Sequence, residues 1–164
     1  MPSQTAQNYE QVSYRSDGGS QHRGAYREVN SAEGATRTLL SKESGMLCLF
    51  DRAAGIVYTL PTPVVGMEFE FATTVTITSN AAKVITAAGT QFLLGLVHLI
   101  GGTTETTVSA DFNGTTHVAI SMNGTTTGGV IGDRFRVTAL STTIWQITGL
   151  ASGSGTVATP AATS

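Results

Sequence analysis

The side chains that could carry chemistry are few. Two acidic pairs stand out, Glu68 with Glu70 and Asp111 with Asp133. Paired carboxylates are what glycoside hydrolysis requires, one as acid and the other as base or nucleophile. Glu68 and Glu70 lie in the stretch MEFEF, where strict alternation sets them on one strand face and Met67, Phe69 and Phe71 on the other. Acidic residues on the wet face of a strand are ordinary, so no catalysis is expected of them. His22, His98 and His117 are scattered, and no His-x-His, His-Glu-x-x-His or Cys-x-x-Cys spacing occurs, so no metal site is expected. Cys48 is the single cysteine; it allows no intrachain disulfide and reads as a buried thiol within MLCLF. The run GGVIG at residues 128–132 lies between strands with no helix behind it, which makes it a turn and not a phosphate cradle. Neither a Gly-x-Ser-x-Gly elbow nor a P-loop occurs. The expectation is a protein that is not an enzyme, with no catalytic residue, cofactor or metal. Arg134 and Arg136 share a strand face and could pair with Glu68 and Glu70, across strands or across subunits, fixing register.

The elements that would position these groups are strands. Threonine is the commonest residue, followed by glycine and alanine, and charged residues make up 12% of the chain. That composition favours an all-β fold with many turns. Residues 45–71 read as three short strands, 46–50, 56–60 and 67–71, joined as a β-meander by DRAAG and by the Pro61 to Gly66 break. Further strands are expected at 75–78, 83–86, 91–100, 116–122, 134–140 and 144–148, the last with the only tryptophan, Trp145. Gln91 to Ile100 is the most apolar segment and suits a buried strand or a short helix; its β-branched surroundings and Gly95 favour the strand, with the glycine as the place for a bulge. Asn113-Gly114 and Asn123-Gly124 are hairpin signals. The domain is expected at residues 36–150, a β-sandwich or jelly-roll-like barrel. Residues 151–164, small and polar, read as a flexible tail.

Residues 1–35 differ from the rest. They hold three of the four tyrosines, Tyr9, Tyr14 and Tyr26, interleaved with Arg15, Arg23 and Arg27. Hydrophobics are too sparse for independent folding, so the segment reads as an extended arm. Aromatic and arginine side chains are enriched at interfaces, which makes these six the expected partner-binding residues. A formal net charge of −2 argues against a nucleic-acid partner. No run approaches the length of a membrane span, and no apolar leader occurs in the first thirty residues, so cytoplasmic synthesis without a membrane partner is expected. So little charge points to association, because a free monomer depends on charged surface to stay dispersed.

The order of an apolar strand, DRAAG, a strand ending TLPTP, then VVGMEFEF, followed later by GDRFRV and IWQITG, resembles small β-rich virion proteins of tailed bacteriophages, the capsid decoration or cement proteins. The resemblance covers residues 36–149 and concerns the scaffold. It implies a structural protein on the outer capsid surface, assembled in the host cytoplasm, with the major capsid protein as partner and a homotrimer as its own state. The alternative is a tail- or fibre-associated module that recognises host glycans, for which Trp145 would be the stacking residue.

Overall fold

Alternating residues bury one face of most strands among the described residues, and two stacked sheets result. The computed structural model describes residues 34–101 and 107–164, together with the backbone of three short strands nearer the N-terminus. Those three are β1 (Val12–Tyr14), β2 (Ser20–His22) and β3 (Val29–Ser31). The chain continues through β4 (Thr36–Thr38), β5 (Leu47–Phe50), β6 (Val57–Thr59), β7 (Glu68–Thr73) and β8 (Ala82–Ile85). It ends with β9 (Phe92–Gly101), β10 (Thr107–Asn113), β11 (Ala119–Met122), β12 (Arg134–Ala139), β13 (Ile144–Gly153) and β14 (Ala161–Ala162). The larger sheet has seven strands in the order β10-β9-β13-β12-β7-β5-β3, and the smaller has five in the order β14-β11-β8-β6-β4. β1 and β2 pair with each other, antiparallel.

The all-β expectation holds, and the architecture is a sandwich of two mixed sheets. The expected meander is not what forms. β5 and β7 are parallel neighbours in the large sheet, while β6, between them in sequence, lies in the small sheet parallel to β8. From β3 to β8 the chain alternates between the sheets, stacking three coils in parallel. The DRAAG and TLPTPVVG segments are therefore corners between sheets. Alternation identifies a strand but not its neighbour, and both connections suit a corner as well as a hairpin. After β8 antiparallel pairs prevail, apart from β13, which runs parallel to β9 over ten residue pairs.

One hydrophobic core fills the space between the sheets. Phe50, Phe71 and Phe135 from the large sheet meet Tyr58 from the small one, with ring centroids 5.1–6.4 Å apart. The Tyr58 hydroxyl donates to the Leu49 carbonyl at 2.7 Å and ties the sheets together. Trp145 is fully buried and packs near Phe69. Cys48 is buried, as expected. Residues 75–78, expected as a strand, form an irregular connection; Ile77 still enters the core and its N–H donates to the Gly129 carbonyl. The segment 151–164 contains the last residues of β13, a buried Val157 and β14, which pairs with β11.

Both Asn-Gly sites are sheet-to-sheet corners and not hairpins. Each begins the same sequence, Asn-Gly-Thr-Thr. Asn113 Oδ1 accepts from the N–H groups of Thr115 and Thr116, and Asn123 Oδ1 from those of Thr125, Thr126 and Thr127. The side-chain amide of each donates to the second threonine hydroxyl. An asparagine that gathers the following amides closes a turn without a facing strand.

Candidate functional site

The carboxylates take structural roles. Arg134 pairs with Glu70, and Arg136 lies 3.9 Å from Glu68, both across the β12–β7 ladder of one chain. Hydrogen bonding to Glu70 raises the Arg134 pKa above its ordinary value. Asp133 is buried and fully engaged. Its Oδ2 accepts from the N–H groups of Gly129 and Val130 at 2.7 and 3.1 Å, and its Oδ1 from the Ser152 N–H and hydroxyl, both at 2.8 Å. It closes the glycine-rich turn onto β13, a role visible only in three dimensions. Asp111 is instead exposed on β10, so the two aspartates form no acid–base pair.

The histidines are also apart. His98 is exposed on β9, its Nδ1 3.0 Å from the Ser109 hydroxyl, while His117 Nδ1 accepts from the Asn113 N–H. Among the described residues no cluster of histidine, cysteine and acidic side chains could hold a metal. The aromatic side chains of the described residues are buried, apart from a half-buried Phe92. Trp145 thus offers no stacking platform for a sugar. Of the expected partner-binding residues, Tyr9, Arg15, Arg23, Tyr26 and Arg27 lie outside the described residues, and Tyr14 is placed by its backbone alone, in β1.

Among the described residues two larger exposed apolar surfaces remain, besides Val75 and Ile131 at the opposite end of the sandwich. The first is one end of the sandwich, where Leu40, Val64, Val65 and Leu140 are exposed. Backbone bonds gather this end: Leu39 N–H to Thr59 carbonyl, Gly66 N–H to Ala139 carbonyl, and Gly45 N–H to Glu68 carbonyl. β3 starts here too, because Val29 pairs with Leu47 at the beginning of β5. β3 thus enters the large sheet at the end that exposes Leu40, Val64, Val65 and Leu140.

The second surface is the outer face of the large sheet. β9 sends Leu93, Val97 and Leu99 into the core and Leu94, Leu96, His98 and Ile100 outward. Leu94, Leu96 and Ile100 are 40, 45 and 51% exposed, and Leu150 on neighbouring β13 is 60% exposed. The ladders set Asp111, Leu96, Thr148, Arg136 and Glu70 in one row across five strands. The next row holds Ser109, His98, Leu150 and Arg134. The stripe is therefore apolar at its centre, with Asp111 at the β10 flank and, at the β12 flank, Arg134 and Arg136 beside their β7 partners Glu70 and Glu68.

Gly95 permits the straight run of β9. Its φ is +137°, and a side chain there would strike the Ile147 carbonyl of β13. The glycine serves close strand approach, and the ladder passes through it in unbroken register, without the expected bulge. Sequence reasoning took the whole apolar run as buried and missed the outward leucines. The available signal was that both alternating sets in FLLGLVHLI are apolar, the pattern of a strand covered on two sides. Comparison with protein-family models, curated proteins and solved structures finds no match to this chain.

Proposed function

We propose that the protein is a structural component of a virion, a decoration or cement protein that sits on the outer surface of a tailed-phage capsid. It acts as a homotrimer, with residues 1–28 as the arm that engages the major capsid protein. What carries the reading is where the arm joins: at the end where Leu40, Val64, Val65 and Leu140 are exposed. An apolar end next to a tyrosine- and arginine-bearing arm gives one contiguous contact region, of the composition found at protein interfaces. Strand addition by the arm to an exposed capsid sheet edge would supply main-chain bonds. A trimer engages three such sites together, so weak single contacts yield stable occupancy. The resemblance in residues 36–149 supports the same assignment. Glycan recognition by a tail module has less support, because Trp145 and Tyr58 are buried in the core.

The test is removal of residues 1–28, which leaves β3 in place. The truncated protein is expected to keep its mass in solution and its β-sheet circular dichroism, and to lose binding to mature capsid shells in a co-sedimentation assay. Truncated protein that still coats the shells would refute the role given to the arm.

A further inference from the structure

β9 carries apolar residues on both faces, as strands do when both sides are covered, yet the described residues cover only one. We propose that the outer face of β10, β9, β13 and β12 is the contact between copies of this chain. The copies are arranged about an axis that runs parallel to the strands, in front of Leu94, Leu96, Ile100 and Leu150. The inference rests on the self-association named above and deepens it by assigning the face and its register.

Charge selects the occupant. Rotation about an axis parallel to the strands leaves every residue at its own height and brings the β10 flank of one copy to the β12 flank of the next. Asp111 and Arg136 occupy the same row on opposite flanks. The acid of one copy therefore meets the guanidinium of its neighbour at equal height, and Arg134 is one row further along. A foreign partner would have to bring its own matching charges, whereas Asp111 and the half-exposed Arg136, only loosely paired with Glu68 at 3.9 Å, already stand on this face. Strand spacing makes the region from β10 to β12 about 14 Å wide, and Leu94 to Ile100 spans about 20 Å. An apolar stripe of that size with a polar rim has the anatomy of an interface core, and opposed flanks fix the register of assembly.

The test is Leu96→Lys with Ile100→Lys, measured by light scattering on a sizing column beside wild type. Both positions are exposed in the single chain, and lysine is well tolerated on a strand face open to water. Wild type is expected at the mass of three 17.0 kDa chains and the double variant at one, a threefold fall, with unchanged far-ultraviolet circular dichroism. A variant that keeps the wild-type mass would overturn the assigned face while leaving self-association intact. Wild type at the mass of one chain would overturn self-association itself, and with it this inference, even if the face were then covered by a capsid. Should the lysines prevent folding, Leu96→Cys decides: Cys48 is fully buried, so mild oxidation is expected to give an interchain disulfide through residue 96 alone. A multi-chain assembly of this variant without that cross-link would overturn the proposal.

Discussion

The two sheets share one core but present different outer faces. Outward on the small sheet are Thr36, Val57, Lys83 and Ser121 in one row, and Thr38, Thr59 and Ile85 in the next, beside the fully buried Ala119. None of them is an exposed large hydrophobic residue. The large sheet exposes Leu94, Leu96, Ile100 and Leu150 instead. The inward faces obey the same demand, to fill a shared interior at close packing. That demand says nothing about the outward faces, so a difference there reports on what surrounds the molecule. On the small sheet threonine and lysine leave Val57 and Ile85 half-buried, while the large sheet leaves its outward leucines open.

The comparison depends on the sheets folding as one body, and the strongest blow to that unity is Asp133→Ala. It leaves the N–H groups of Gly129, Val130 and Ser152 without their acceptor. The expected loss is more than about 3 kcal/mol, read from urea unfolding. Two separate transitions in that experiment, one per sheet, would break the comparison. The corners come next. Asn123→Ala should cost about 2 kcal/mol and Asn113→Ala about 1, since the first accepts three backbone N–H groups and the second two. Equal costs would show that the number of amides gathered does not decide the strength of the corner. Tyr58→Phe removes the hydroxyl bond between the sheets and should lower stability by about 1 kcal/mol without altering mass. The smallest effect sharpens the contrast most. Thr59→Glu with Ser121→Glu, on the small sheet near Lys83, should leave mass unchanged and stability within about 0.5 kcal/mol. A fall in mass there would move the contact between copies to the wrong face.

Much of the local structure was legible in the sequence. The alternation in MEFEF placed Phe69 and Phe71 in the core, and the arginines of RFRV found Glu70 and Glu68 across the ladder, as their shared faces imply. Cys48 and the GGVIG turn were equally readable, because each follows from local chemistry. Pairing was not readable. A period of two is the same for a strand that meets its sequence neighbour and one that meets the strand after next, so the parallel coils of β3 to β8 looked like a meander. The Asn-Gly signals failed for a related reason: the asparagine side chain closes the corner unaided and needs no antiparallel partner. Asp133 gave no signal of its depth, since its four partners come from the turn before it and from β13. The outward leucines were not foreseen, because an apolar run does not say which cover belongs to the chain and which to a neighbour.

The coiled first half also makes the fold extensible. β3 and β4 are the outermost strands of their sheets, and each lies parallel on the next coil. Successive coils repeat after 18 and 23 residues in the large sheet, from Val29 to Leu47 to Glu70. A further coil of about twenty residues, spliced in ahead of Val29, would lengthen both sheets at once and leave the aromatic interior untouched. The same edge lets a designer set the distance between the arm and the body of the domain in fixed steps, one strand spacing of about 4.8 Å at a time.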